Sequence, residues 1–240
     1  MSYLSNTDKK ILCVLNTFFN YEHIQQCFDS IYNENIDYFI LENKSKYSDK
    51  IEEYFKSKKL LGYIQSQDNV THGTVDYFFK NYKDLVYKYD YMTLTDGDIL
   101  VNDIDSLYEE MITILDCNRV KLCCINLDRS NLPPIKGSER WIENGENIEN
   151  IYIKARSGTH MMTFKNENFN IVTDLNKVID VNVHKKVKSI NGILTKTIKN
   201  VGKHLTWDYY YDGNEYYEWK KNNQWTLGIH NKLTEMKQII

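Results

Sequence analysis

Tyr91-Met92-Thr93-Leu94-Thr95-Asp96-Gly97-Asp98-Ile99-Leu100 is the stretch that decides the fold. An apolar, β-prone run from Tyr91 to Leu94 stops at two carboxylates separated by one glycine. Side chains alternate along a strand, so Asp96 and Asp98 project to the same side at its end. Gly97 removes the side chain between them and lets the backbone turn sharply. Two hard oxygen donors at an open sheet edge suit Mn²⁺ or Mg²⁺, which take a few carboxylates together with substrate phosphates. A bare D-x-D is equally a turn with two solvated aspartates. Its place in the chain sets this one apart.

Three strand–helix units precede it. Ile11-Leu12-Cys13-Val14-Leu15 is a continuous apolar run of the kind expected of a strand buried on both faces. Helical spacing then groups His23, Ile24, Cys27, Phe28 and Ile31. Tyr38 to Leu41 reads as a second strand, followed by a helix with Ser48 as N-cap and Ile51, Tyr54 and Phe55 inside. Leu60 to Ile64 is a third strand, and the next helix carries Val75, Phe78, Phe79 and Tyr82. This alternation predicts an α/β layered sheet with right-handed crossovers, whose ligands lie beyond the carboxyl ends of the strands. Asn16/Thr17, Glu42/Asn43, the loop from Asn69 to Gly73, and Asp96/Asp98 all fall at those ends.

The second half is less regular. Ile104 to Leu115 reads as a helix and Val120 to Leu127 as a buried strand. Asn131 to Ile148, which holds both prolines, reads as a long loop. Strands at Ile151–Ile153 and Met161–Phe164 flank Ala155-Arg156-Ser157-Gly158-Thr159-His160. Ile190 to Val201 fits a helix with Ile193, Leu194, Thr197 and Ile198 inside and Gly202 just past its end. The C-terminal region is aromatic, with Trp207, Tyr209, Tyr210 and Tyr211 before Trp225.

Composition bounds the function. The chain has 240 residues, 42% apolar and 26% charged, which allows a sizeable core. A net charge of −3 without a basic block points away from nucleic acid. The first ten residues are polar, without the apolar core of a signal peptide, and no apolar stretch reaches membrane-spanning length. Five irregularly spaced cysteines, with no zinc-ligand pattern at Cys123-Cys124, read as reduced and buried thiols. A soluble protein of a cytoplasm-like compartment is the expectation.

A sheet whose fourth strand ends in D-x-D, followed by a less regular half, resembles the GT-A glycosyltransferases, and most closely their large family-2-like group. The resemblance implies a three-layer α/β/α sandwich in one domain. A Rossmann-like nucleotide-sugar-binding half would span residues 1–102, and an acceptor-binding half on a mixed sheet residues 103–240. It also implies a metal-dependent transferase moving a sugar from a nucleoside diphosphate, UDP by preference, to a glycan or other hydroxyl acceptor, with an inverting course favoured. Asn16 and Thr17 would close the first strand beside the nucleotide, and Glu42 stands where the family carries an acidic base- or ribose-reading turn. Asn69 and Gly73 resemble its N-x-G-type loop, with one residue more between them. Asp96 and Asp98 would hold the cation, and Gly97 would lie against the donor. Gly158, Thr159 and His160 resemble the small-residue loop beneath the donor sugar, although His160 equally suits a strand edge satisfied by backbone. His230 would serve the metal and Lys232 the diphosphate.

The family's acidic-pair helix, E-D-x-x-L-x-x-R-x-x-x-x-G, finds only Asn191 at its aspartate position if Ile190–Gly202 is that helix. Asparagine cannot act as a base. Asp208, beside Trp207, is the substitute, since a carboxylate desolvated by an aromatic neighbour is raised in pKa as a base near neutrality requires. Asp174 and Asp180 are further carboxylates for the role. The four tryptophans, Trp141, Trp207, Trp219 and Trp225, could floor an acceptor site, but some must serve the core.

Haloacid-dehalogenase-like phosphatases also use D-x-D, normally at the close of the first strand rather than the fourth. Sugar-nucleotide pyrophosphorylases open with a Gly-rich basic loop that Asn16-Thr17-Phe18-Phe19-Asn20 lacks. A non-catalytic nucleotide-sugar or carbohydrate-binding module on a transferase scaffold is the remaining alternative.

Overall fold

The computed structural model of the chain describes residues 2–136, 138–222 and 235–240. After a short helix α1 (Tyr3–Asn6), the expected alternation follows: β1 (Ile11–Phe18), α2 (Tyr21–Ile31), β2 (Ile36–Asn43), α3 (Ser48–Lys56), β3 (Gly62–Ser66), α4 (Gly73–Asn81), α5 (Lys83–Val86) and β4 (Tyr91–Asp96). The third strand begins two residues later than its apolar run suggests, and Ser48 is the first helical residue of α3 rather than its cap. Parallel pairing joins β1 to both β2 and β4, and β2 to β3.

The remaining elements are β5 (Ile99–Leu100), α6 (Ile104–Leu115), β6 (Val120–Leu127), β7 (Glu146–Ile148), β8 (Tyr152–Lys154), β9 (Met162–Lys165), α7 (Asn170–Thr173), α8 (Asp180–Ser189), β10 (Ile193–His204), α9 (Glu215–Asn222) and β11 (Met236–Gln238). They extend the sheet in the order β11-β3-β2-β1-β4-β9-β6-β10-β8-β7, with β5 paired to β10. Antiparallel β9 beside β4 makes the sheet mixed.

Two apolar cores lie on opposite faces. One gathers Phe28, Phe55, Tyr63, Tyr108 and Met111 under α2, α3 and α6. The other gathers Phe39, Phe78, Phe79, Phe164, Phe169 and Val187 under α4, α7 and α8. Burying large side chains on both faces of one sheet gives the expected α/β/α sandwich. Cys13, Cys27, Cys123 and Cys124 are buried within it as small apolar groups. Among the described residues no helix is long and apolar enough to cross a membrane.

The helix expected over Ile190–Val201 is instead strand β10. Leu194 to Thr197 are buried without interruption, because the strand lies between β6 and β8. The apparent helical spacing comes from a register shift between Lys196 and Val201. There the Glu110 carboxylate accepts the backbone N–H groups of Ile198, Lys199 and Asn200 at 2.7–2.9 Å. A carboxylate from α6 thus replaces the ladder partners that the bulge removes. Asn191 lies in the turn before β10 at a φ of 57°, bonded to Arg119. The match of Ile190–Gly202 to the acidic-pair helix therefore falls away.

Candidate functional site

The Asp96–Asp98 turn is held by three distant parts of the chain. Gly97 N–H donates to Asn16 C=O at 2.8 Å, Asp96 N–H to Thr159 C=O at 3.0 Å, and Leu205 N–H to Asp98 C=O at 2.8 Å. A Cβ on Gly97 would stand 3.0 Å from the Thr17 methyl, so glycine allows β1 and the turn to meet. The ends of β1, β4 and β10 and the loop before β9 therefore share one point, beneath a cavity of about 340 Å³.

Asp96 and Asp98 both line that cavity and are partly buried there. Burial, and then the charge of Asp98, push the Asp96 carboxyl well above the usual range. Burial opposes ionisation of Asp98 too, but the His204 ring, the Thr206 hydroxyl and other neighbours outweigh it and hold this carboxyl low. Thr206 donates to Asp98 Oδ2, and His204 Nδ1 lies 3.5 Å from the same oxygen without hydrogen-bond alignment. Asp98 Oδ1 is buried with no hydrogen-bond partner. A buried carboxylate oxygen is costly to leave unpaired.

This donor set fits a divalent cation. Among the described residues no group of three or more His, Cys, Asp and Glu is arranged to enclose a metal. Mg²⁺-like ions do not require such a cage: one or two carboxylates suffice when substrate phosphates and water complete the shell.

A polar chain runs from the aspartates along the sheet edge. Asn16 donates to Asp96 Oδ1 at 3.4 Å and accepts from Asn43 at 3.1 Å and from the Thr74 hydroxyl at 2.9 Å. Asn43 Oδ1 accepts the Val70 N–H at 3.0 Å and fixes the β3–α4 loop to β2. The opposite wall is aromatic, with Trp141, Trp207, Tyr210, Tyr216 and Trp219. Lys220 reaches in from α9, donates to the Tyr210 hydroxyl, and is pushed down to about 8 by burial against the pull of Asp98 and Asp96. His160 lines the cavity with Nδ1 3.3 Å from the Ser157 hydroxyl. Burial, and then the neighbouring His204, lower it to about 3, so its ring is neutral at physiological pH.

The same architecture occurs in a sugar-transferring enzyme. Mannosyltransferase PcManGT from Pyrobaculum calidifontis, in complex with GDP-Man and Mn²⁺, aligns over 98% of this chain and 68% of its own with a TM-score of 0.59 at 10% identity. The fold is shared. No family model matches the chain. Curated relatives include two uncharacterized proteins of Acanthamoeba polyphaga mimivirus, L142 and L138. Each is 28% identical over 93% of this chain. The chain spans 49% of the length of L142 and 27% of that of L138.

Asn16, Thr17, Asn69, Asp96, Gly97, Asp98 and His160, singled out in the sequence, meet in the cavity. Gly73, Gly158 and Thr159 do not line it. Gly73 opens α4, Thr159 supports the Asp96 backbone, and a Cβ on Gly158 would strike the His160 ring at 2.8 Å. His230, Lys232 and Trp225 lie outside the described residues. Asp208 is half-exposed, ion-paired with Lys203 at 2.7 Å, and absent from the cavity lining. The desolvation expected from Trp207 is not found, because Trp207 stacks on His204 instead, at 4.4 Å between ring centroids.

Glu42 points away from the cavity. Its carboxylate is fully buried and accepts from Tyr63 and Gln65, while its neighbour Asn43 faces the site. Burial raises the Glu42 carboxyl above its ordinary value of 4.5, in spite of bonds from Ser48, Tyr63 and Gln65. The folded state then holds this proton more tightly than the unfolded chain. Its contribution to stability is complete below 4.5 and is lost as pH rises through the folded value. Glu42→Gln keeps an acceptor for both donors and cannot ionise. Thermal melts from pH 4 to 8 should show a variant at least as stable as the parent near neutrality, with a flatter pH dependence. A variant that melts well below the parent at pH 7 would contradict this account.

His204, Thr206, Tyr216 and Lys220 line the cavity without having been singled out in the sequence, whereas Trp219 was among the candidate acceptor aromatics and Asn43 was placed at the strand ends without a role of its own. Asn43 was within reach, since alternation along β2 sends neighbouring side chains to opposite faces. His204 ends β10, two residues past the Gly202 at which the expected helix closed, so no strand end marked it in the sequence.

Proposed function

We propose that the protein is a divalent-cation-dependent glycosyltransferase, moving a sugar from a nucleoside-diphosphate sugar, UDP by preference, to a hydroxyl acceptor such as a glycan. The observation that carries this reading is the Asp96/Asp98 pair, partly buried at the end of β4 and lining the cavity, with one oxygen of Asp98 left without a hydrogen-bond partner. The shared fold of a mannosyltransferase in complex with GDP-Man and Mn²⁺ supports it.

Asp98, with Asp96 directly or through water, would hold Mn²⁺ or Mg²⁺. When bound, the cation offsets the negative charge that builds on the departing diphosphate. Lys220 adds a positive group facing the same pair, and His230 and Lys232 keep their expected roles. His160, neutral and fixed by Ser157, offers a hydrogen bond to the donor sugar. The aromatic wall suits an acceptor sugar, whose apolar ring face stacks on indole and phenol rings.

For an inverting course the base we assign is Asp180. It is the first residue of α8, and Val183 and Lys186 follow at the D-x-x-L-x-x-R spacing expected of the acidic-pair helix, with Val for Leu and Lys for Arg. Its charge reaches Asp96 and raises that carboxyl further. The acceptor oxygen attacks the anomeric carbon while its proton passes through one water to the Asp180 carboxylate, which stands outside the cavity lining. The bond from that carbon to the diphosphate breaks, and its electron pair leaves on the diphosphate oxygen.

Thermal-shift measurements with UDP-, GDP-, dTDP- and CMP-sugars, each with Mn²⁺ and with EDTA, test the donor site. A ligand that binds only the folded state raises the melting temperature by mass action. A Mn²⁺-dependent rise with at least one nucleoside-diphosphate sugar is expected. No rise with any donor would remove the reading. Binding without transfer or hydrolysis would favour the non-catalytic module instead.

A further inference from the structure

Lys220 is the one lysine or arginine among the described residues that line the cavity. It stands on α9, which is tied to the strand ends. Trp219 packs on Phe18 at the close of β1, with ring centroids 4.7 Å apart, and the Glu215 carboxylate accepts from the Tyr47 hydroxyl at 3.1 Å. The Lys220 ammonium donates to the Tyr210 hydroxyl and, at 3.4 Å, to that of Tyr216. It lies 5.0 Å and 5.5 Å from the centres of the same two rings. Phenol oxygens and ring faces hold a cation in place without neutralising it. Its charge is therefore felt across the cavity. It favours the ionised form of both facing carboxyls, Asp96 and Asp98, and opposes protonation of His204.

Two carboxylates attract a divalent cation, but this third charge repels one. A cation arriving alone meets Asp96 and Asp98 with part of their field already cancelled by Lys220. A diphosphate arriving alone meets the reverse, since Lys220 attracts it while the pair repels it. The neighbouring histidines leave this balance unchanged. Burial lowers His160 to about 3 and holds His204 below its ordinary value, so both rings are neutral at pH 7. We infer that Lys220 is a counter-cation built into the site, which keeps a free divalent ion weakly bound and admits the metal chiefly in the company of an anionic diphosphate. The inference rests on the donor site proposed above and adds what governs its loading with metal.

Calorimetric titration of the full chain at pH 7, with Mn²⁺ alone and with UDP or GDP in EDTA, tests it. Lys220→Met keeps the length of the side chain and removes its charge. It should bind Mn²⁺ about tenfold more tightly and the metal-free nucleotides about tenfold more weakly, the scale of a unit charge acting on an ion across less than about 10 Å of partly solvated protein. Lys220→Arg, which retains the charge, should show no gain in Mn²⁺ affinity. Changes of opposite sign cannot come from a loosened fold or a lost hydrogen bond, which would weaken both ligands or neither. Circular dichroism and melting temperature show whether the variants are folded, and Lys220→Gln, which keeps a donor for the tyrosine hydroxyls, repeats the test if Lys220→Met is not. Mn²⁺ affinity that stays level or falls on loss of the charge, or metal-free nucleotide affinity that does not fall, would overturn the role of Lys220. The donor site would stand so long as UDP or GDP binds the parent with Mn²⁺. Failure of both nucleotides to bind the parent with Mn²⁺ would overturn both.

Discussion

Asp98→Ala should lower sugar transfer about 10²–10³-fold, the scale on which removal of one preorganised electrostatic group acts on a developing charge. The substitution removes the carboxylate with the unpartnered oxygen, the group best placed to take a cation. It should not unfold the protein. Asp98 is partly buried at a desolvation cost, and the contact that fixes its backbone, Leu205 N–H to Asp98 C=O, does not involve the side chain. Melting in EDTA should therefore stay within a few degrees of the parent, while the Mn²⁺-dependent rise with donor disappears. Turnover within threefold of the parent at saturating Mn²⁺ would mean that the pair is a structural turn.

Asp180→Asn should lower kcat about 10²–10⁴-fold, the contribution typical of a positioned general base. Donor affinity and its Mn²⁺ dependence should be retained, because Asp180 does not line the cavity. Asparagine keeps an oxygen for the Val181 N–H that Asp180 accepts at 2.7 Å, so the start of α8 is preserved. Asp208→Asn is the matching control. Loss of a half-exposed ion pair with Lys203 should cost less than about 1 kcal/mol of stability and little activity. If Asp208→Asn abolishes transfer and Asp180→Asn does not, the assignment of the base is reversed.

The first half of the fold was legible because each strand there is buried on both faces and each helix on one. Ile11–Leu15 and Tyr91–Leu94 carry that burial as unbroken apolar runs, and α2 carries it as a stripe. Asp96 and Asp98 were legible for the same reason, since the apolar run stops where the sheet meets solvent. Beyond β6 the signal weakened. β10 takes its shape from Glu110, 88 residues away from Ile198, and no local pattern encodes such a partner. Read as a helix closing at Gly202, it left His204 and Thr206 without the strand end that brings them to the site. Glu42 failed differently. Its type and position matched a base-reading residue, but Tyr63 and Gln65 on β3 draw the carboxylate into the interior. Sequence spacing does not reveal which of two adjacent polar residues finds partners across the sheet.

The three-way clamp on the Asp96–Asp98 turn has a kinetic consequence. Thr206, which holds Asp98, is 108 residues further along the chain, and Thr159 lies between them. The two carboxylates are synthesised early, inside a half that can lay down β1 to β4 by local crossovers. The pocket around them closes only when β10 has been inserted between β6 and β8, and contacts of such long sequence separation form late. Competence to bind should thus mark completion of folding. Partly folded chains would carry the motif without a site able to capture a nucleotide.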